Sequence, residues 1–594
     1  MAAGQTLAIA NNDIAYLWWR LDARIPGCLG FSVRRIAGNA AGVPLPAYVG
    51  FAPGVPGQPH PMKNTDIWPV QSFQWKDVFA PPGTYRYEIV PMMGPDTEAL
   101  TPHSTLKLVT GEVHIKGDYG AIEAYFNVGL ISTQSITRQL RELVEQHLYA
   151  NPTEALRGEI ARPGSAVRDA LAGDVLHKGL LALLKKAAGR SGGHCQLALY
   201  ELTDAQLVAA IKALAARQRL DLCLANADSS EQYIGTDGQP HTRKIKDGTN
   251  AATRADLHAG GVPVTDRFLG SSSIGHSKFV LWSDKTGKPR SVMTGSTNWT
   301  STGLCSQTNN ALLIHNDTVA AGFKDYSDLL VQDAAATPTQ GKEMRDWCRG
   351  GAVEARVSAA DVTVWFSPNT VRRTKDAEVA PPDLAQVFDL IAAAQQGVLF
   401  LGFNPGTPSF LEAVRQRAEQ MEAAGQPFYV RGALTAYAPL GQFATFLTKR
   451  RVTDAPDVLV SGVAGVPDDF GYWEKELYKL GHAVIHDKII VIDPFGPRSV
   501  VVTGSHNLGY KASYQNDENL VIVRGHERLA QAYAAHCLDV TNHFAWRYKL
   551  SELYRRGKLD QAWGDLSETD AWQNKYFDSH NAASRDGFFF FGES

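Results

Sequence analysis

The sequence predicts an α/β protein built of two related halves and preceded by an all-β domain. Three observations lead there. The segment GSTNWTSTGLCSQTNNALLIH, starting at Gly295, returns as GSHNLGYKASYQNDENLVIVR, starting at Gly504. Runs with a strand period alternate with runs of helical period through both regions that contain those segments. Short alternating runs separated by Pro/Gly-rich connectors fill the first hundred or so residues.

Taken in order, residues 1–115 read as a β-sandwich-like domain. AYLWWRLD puts Leu17, Trp19 and Leu21 on one face, and GTYRYEIVP does the same with Tyr85, Tyr87 and Ile89. Side chains two apart share a face of a strand, so these aromatics form a core. FAPGVPGQPHP is a connector. Residues 116–190 read as a helical connector, the helical period running from about Ala121 to Ala188, with Ile136, Leu140, Leu143 and Val144 on one stripe. Residues 191–350 form the first α/β half: strand CQLALYEL, helix DAQLVAAIKALAARQ, strand LDLCLANA, helix ATRADLHAGG, then GVPVTDRF, HSKFVLW and SVMTG as extended runs. Residues 351–550 repeat it with DVTVWF, APPDLAQVFDLIAAAQ, GVLFLGFN, SFLEAVRQRAEQMEAAG, PFYVRG, AVIHDKIIVID and SVVVTGS. Such alternation gives mixed, largely parallel sheets flanked by helices. Residues 551–594 read as a tail, helical and then irregular.

A chain of 594 residues exceeds a single core. A net charge of −3 argues against a surface built wholly for nucleic acid, though it leaves room for local basic patches. No apolar run approaches the roughly 18–20 residues of a membrane helix, and the start MAAGQTLAIANND lacks a basic n-region. The expected compartment is therefore the cytoplasm, with export lacking a cleaved signal as the alternative. Cys28, Cys195, Cys223, Cys305, Cys348 and Cys537 form no CxxC pair and read as buried reduced thiols.

Each GSxN segment follows a His-x-Lys strand. HSKFVLWSD supplies His276, Lys278 and Asp284; HDKIIVID supplies His486, Lys488 and Asp493. The step from Asp284 to Ser296 equals that from Asp493 to Ser505, twelve residues in each. Alternation on a strand projects His276 with Lys278, and His486 with Lys488, to the same side. Ser296 and Asn298, and Ser505 and Asn507, repeat that arrangement at the end of a neighbouring strand.

This doubled HxK…GSxN pattern resembles the signature of the phospholipase D superfamily over roughly residues 180–550. The resemblance implies two halves facing across a pseudo-twofold axis, so that His276, Lys278, Asn298, His486, Lys488 and Asn507 converge on one pocket. One chain then suffices for a complete site. That inventory suits a phosphodiester: two lysines and two asparagines hold phosphoryl oxygens, one neutral imidazole attacks phosphorus, and the other works as acid and base. Neither a metal nor a cofactor is expected, since lysine supplies the positive charge. The family's usual nucleophile is in the N-terminal motif, here His276. A carboxylate about ten positions after GSxN, here Glu518 with Asp517 beside it, is expected to orient the histidine of its own half, His486. Aligned on the apolar run, the first half offers Asn310 there. Asp493 is expected to be structural. The reading is a metal-independent phosphodiesterase working through phosphohistidine, a phospholipid slightly preferred as substrate and peripheral membrane contact in keeping with it. A nuclease is the alternative; a non-catalytic binding protein on the same scaffold is the second.

Asp284 lies eight residues after His276, whereas Asp493 lies seven after His486. The extra residue predicts a β-bulge or an Asp displaced into the turn DKTGKP. Basic clusters occur at Lys185 and Lys186, at Arg243, Lys244 and Lys246, at Arg372 and Arg373, and at Lys449, Arg450 and Arg451. The second is expected in a long loop near the mouth of the site. Tyr472 and Trp473 suit a lid, and Phe588–Phe591 suit docking on the parent domain.

Overall fold

The computed structural model describes residues 4–51, 62–129, 133–189, 192–234, 239–270, 272–334, 339–371, 379–403, 405–406, 409–435, 458–460, 485–558 and 565–578. Tyr472, Trp473, Phe588–Phe591, Arg372, Arg373 and the cluster at Lys449 lie outside those residues.

The N-terminal region is a pair of antiparallel sheets. Strand Ala15–Leu21 lies between Gly4–Ala10 and Gln74–Asp77 in one, and Cys28–Ala37 pairs with Gly83–Met93 in the other. Leu17, Trp19 and Leu21 meet Phe31, Val33, Tyr85, Tyr87 and Ile89 between the sheets. The opposite face of Ala15–Leu21 is also covered. Tyr16 and Trp18 enter the large core of the α/β region, and Lys76 Nζ pairs with Asp539 Oδ1 at 2.5 Å. The sandwich is thus fastened to the α/β core along one strand. The tail returns to it as well: Trp572 joins its core and donates from Nε1 to the Cys28 carbonyl at 2.9 Å.

The two halves have one topology. In the first sheet the strand order is Ile122–Phe126, Asn310–His315, Pro289–Gly295, Lys278–Ser283, His194–Leu199, Leu220–Ala225, Val264–Arg267. In the second it is Ala360–Ser367, Glu518–Arg524, Val500–Gly504, Lys488–Ile492, Gly397–Gly402, Tyr429–Leu434, Val458–Val460, with Val353–Val357 added outside Ala360–Ser367. The last three strands of each order run parallel to one another and the rest pair antiparallel. Helices Asp317–Ala334 and Glu527–Arg555 occupy the same place, each after the last strand of its half.

Two expectations fail here. The segment read as purely helical from Ala121 opens with the strand Ile122–Phe126, which holds in the first half the place that Ala360–Ser367 holds in the second. The repeat therefore begins at residue 122 rather than 191. Its alternation is too brief to stand out against the helical period that follows, and what makes it a strand is the exposed edge of Asn310–His315. The segment bearing Arg243 and Lys244 is not an irregular loop. It is a β-hairpin of Ser229–Ile234 with Pro240–Ile245. The stripe of the connector behaves as expected, with Ile136 and Leu140 buried and Leu143 and Val144 packed on the same core. All six cysteines are buried and unpaired.

Candidate active site

The His-x-Lys strands and the GSxN turns meet at one end of both sheets. Antiparallel pairing of Lys278–Ser283 with Pro289–Gly295 brings the start of one strand beside the end of the other, and the second half does likewise. His276 and His486 face each other across that end with ring centroids 6.5 Å apart. Lys278 Nζ donates to the His276 carbonyl at 2.8 Å, and Lys488 Nζ to the His486 carbonyl at 2.6 Å. Each lysine also lies over an aromatic ring, Lys278 over Tyr200 at 5.2 Å and Lys488 over Phe403 at 5.1 Å. Those rings also flank the histidines, at 5.1 Å in both cases. Tyr200 and Phe403 each stand one residue past the strands His194–Leu199 and Gly397–Gly402. The sequence holds the signal for them, an aromatic closing both CQLALY and VLFLGF.

The GSxN residues divide between holding the turn and facing the space. Ser296 Oγ accepts from Asn310 N and Ser505 Oγ from Asn519 N, both at 3.0 Å. The two turns also clasp each other: Asn310 Nδ2 donates to Thr503 Oγ1 at 2.8 Å, and Thr294 Oγ1 to Asn519 Oδ1 at 2.7 Å. Asn298 is buried and Asn507 half-buried, and the side-chain oxygen of each lacks a hydrogen-bond partner among the described residues. A buried amide left this way has capacity for a ligand.

The carboxylate crosses the axis. Glu518 Oε2 lies 3.2 Å from Nδ1 of His276, not of His486. That nitrogen also lies 3.1 Å from the Ser505 carbonyl oxygen. A carbonyl only accepts, so Nδ1 carries the hydrogen and Nε2 the lone pair. The partner of His486 is Asn309, whose Oδ1 is 2.9 Å from Nδ1. Asn309 is held the right way round, its Nδ2 donating to the Gly303 carbonyl at 2.7 Å and its Oδ1 accepting from Ser296 Oγ at 2.8 Å. The expected pairing of Glu518 with His486 is therefore wrong, and so is the choice of Asn310 as its counterpart. Asn310 serves the clasp. A residue at the end of its own sheet points across the pseudo-twofold axis, so it reaches the other half's histidine.

Burial and the lysines set the charge. Burial, then Lys278, depress the His276 imidazole against the opposing pull of Glu518, to about 4. Burial, then Lys488 and Lys278, push His486 well below its usual range. Burial lowers the Lys278 ammonium to about 7, and burial, then Lys278, push Lys488 well below its ordinary value. Burial works to raise the Glu518 carboxyl, yet His276, His506 and the Asn516 amide hold it below the ordinary value. The free site is thus a buried chamber with neutral imidazoles and lysines that give up their protons easily, and a bound anion would favour protonation of all four groups.

The two aspartates diverge. Asp493 is buried and accepts from the backbone N–H groups of Gln395, Gln396 and Gly397 at 2.7–3.1 Å, tying Lys488–Ile492 to the start of Gly397–Gly402. Asp284 sits in the turn and accepts from Arg290 Nε at 2.7 Å and Thr286 N at 2.8 Å. A register shift between Trp282 and Ser283 is the predicted bulge. Arg267 braces the first-half side of the site, donating from Nη2 to Asp517 Oδ1 at 3.1 Å and to Asp333 Oδ2 at 2.9 Å. Among the described residues no cluster of His, Cys, Asp and Glu has a metal-binding arrangement, and no helix is long and apolar enough to cross a membrane.

The family profile described as the PLD-like domain of cardiolipin synthase matches residues 180–329 and 472–538, which contain both His-x-Lys strands and both GSxN turns. No curated protein matches the chain. Among solved structures, phosphatidylserine synthase of Haemophilus influenzae Rd KW20 is 10% identical with a TM-score of 0.36, covering 66% of this chain and 93% of that one. The phospholipase D family member Nuc from Salmonella typhimurium is 17% identical with a TM-score of 0.21, covering 32% and 95%. Yeast tyrosyl-DNA phosphodiesterase is 9% identical with a TM-score of 0.29, covering 59% and 88%.

Proposed function

Because the chain belongs to the phospholipase D superfamily, we propose that it breaks a phosphodiester bond in two displacements at phosphorus, with His276 as nucleophile and His486 as acid and base. The observation that carries this reading is the unequal pairing of two facing histidines, Glu518 on one and Asn309 on the other.

In the first step Nε2 of neutral His276 attacks phosphorus. The P–O bond to the leaving group breaks, and that oxygen takes the proton from Nε2 of His486. The phosphorylated ring retains its Nδ1 hydrogen and so gains positive charge, which the Glu518 carboxylate stabilises. This replaces the expectation from sequence that Glu518 would orient His486. Asn309 fixes the orientation of His486 without favouring its charge, so the proton on that ring is readily given up. The anionic substrate offsets Lys278 and Lys488 and lets His486 take up the proton that it donates. In the second step His486 takes a proton from water or an alcohol, the oxygen attacks phosphorus, and the N–P bond breaks. Lys278, Lys488, Asn298 and Asn507 hold the non-bridging oxygens, whose charge rearranges between the two steps.

The preferred substrate is a phospholipid, in line with the cardiolipin synthase description of the matching profile. One feature favours the nuclease reading instead. The paired strands Ser229–Ile234 and Pro240–Ile245, set after the strand Leu220–Ala225, carry exposed Arg243, Lys244 and Tyr233, with Lys246 just beyond them. Basic and aromatic side chains together suit a single-stranded backbone with its bases. A panel of phospholipids, single- and double-stranded DNA, and RNA, assayed with chelator present, separates the two. Turnover confined to phospholipid supports the first reading. Turnover of nucleic acid, with log affinity falling steeply against log salt, supports the second. Complete loss under chelator, restored by a divalent ion, contradicts both.

A further inference from the structure

The strands that carry the second half of the site reach, at the opposite end of the sheet, a second concavity. Lys488–Ile492 leads from His486 to Asp493, Val500–Gly504 from Ser505 back to Val500, and Glu518–Arg524 from Glu518 to Arg524. At about 3.3 Å per residue, Arg524 lies on the order of 20 Å along its strand from Glu518. The concavity there is about 450 Å³, within the roughly 300–1,000 Å³ of small-molecule sites.

Its lining is of two kinds. Leu390, Ile492 and Val500 give an apolar floor, and Arg356, Arg498 and Arg524 stand around it. The carboxylates nearby are already engaged. Asp361 pairs with Arg356 at 2.6 Å and stands opposite Arg524 in the strand register, and Asp493 is filled by backbone N–H groups. Arg498 is exposed and makes no ion pair among the described residues. Arg524 is half-buried, and its buried Nε has no hydrogen-bond partner. A buried guanidinium nitrogen without an acceptor has capacity for a ligand oxygen, and Arg498 adds a second positive charge to the same lining.

We propose that this concavity is a binding site for a phosphate monoester, its dianion at Arg498 and Arg524 and its organic part on Leu390, Ile492 and Val500. Guanidinium groups suit the several oxygens of a phosphate, and the doubly charged monoester draws more from two arginines than a carboxylate does. The apolar floor selects an esterified phosphate over the inorganic ion. The site is separate from the histidine chamber and does not rest on the reading of that chamber.

Calorimetric titration of the full chain with phenyl phosphate tests it. The Arg498→Glu and Arg524→Ala variants should each weaken one saturable event at least tenfold while turnover of a generic diester stays unchanged. That event should persist in a Lys278→Ala/Lys488→Ala variant, and inorganic phosphate should bind to it at least tenfold more weakly than phenyl phosphate. Titrations of both arginine variants indistinguishable from the parent, or loss of all binding in the lysine variant alone, would overturn the proposal. Absence of diester turnover in the parent protein would count against the catalytic reading and leave this titration to stand by itself.

Discussion

The first and second halves of the α/β region are alike at their lysines and GSxN turns and unlike at the partners of their histidines. Both place a lysine over an aromatic ring and on its own histidine's carbonyl, and both seat a GSxN serine on the backbone of an asparagine. They differ at the residue fourteen past each motif glycine, Asn309 in one and Glu518 in the other. They differ again at the aspartate, buried as Asp493 and in a surface turn as Asp284. Duplication supplies a symmetric cradle for a tetrahedral group. A single side-chain difference then gives the two imidazoles different partners, and in the proposed mechanism different work.

The largest effect should come from breaking the cradle's shared histidines. His276→Ala and His486→Ala should each lower kcat on the order of 10⁴-fold, with the double variant little worse, because groups that act as a unit are non-additive. Steady-state rates on a generic diester check this; two half-active single variants would mean two independent sites. Next come the lysines. Lys278→Ala and Lys488→Ala should each cost about 10²–10³-fold in kcat/KM, by loss of charge stabilisation that water cannot replace in a buried chamber.

Making the halves alike should be milder and more diagnostic. Glu518→Gln should lower kcat about 10²-fold, less than a loss of tautomer control would, since the Ser505 carbonyl still holds the Nδ1 hydrogen. The pH profile gives the sign. His276 must be neutral to attack, and its value of about 4 puts the acid limb of kcat/KM near there. Glu518 raises that value, so Glu518→Gln should move the limb to still lower pH. Asn309→Asp should act oppositely on the other ring, raising His486 and carrying the alkaline limb upward with a rate change within about tenfold. Profiles that do not shift would remove the functional meaning of the asymmetry.

The smallest effects concern the aspartates. Asp493→Asn should cost about 3 kcal/mol of stability, since a buried acceptor of three backbone N–H groups is weakened. Asp284→Asn, at the surface, should cost far less. Denaturant midpoints compared at equal slope measure both.

Much of this could be read in the chain before any coordinates. Most described strands and helices of the two halves lie where their apolar periods put them, and the doubled His-x-Lys motif announces the site by repetition. What could not be read is how one half lies against the other. Glu518 is eleven residues beyond Asn507 in the same half, and nothing in that spacing says that it reaches across to His276. Asn309 was legible: counted without gaps from Gly295 and Gly504 it aligns with Glu518. The adjacent asparagine obscured the register. The strand Ile122–Phe126 and the hairpin at Ser229 escaped for a different reason. Their pairing partners decide their conformation, and short alternating or polar runs carry little signal alone.

The central claim is that phosphorus is transferred to His276. The His486→Ala variant lacks the group that activates water, so with a substrate whose leaving group departs unassisted it should accumulate the adduct. Acid-free quench, digestion and mass spectrometry of that variant should find phosphate on the peptide containing His276. Phosphate on the His486 peptide of the His276→Ala variant, with none on His276 in the converse variant, would contradict the account.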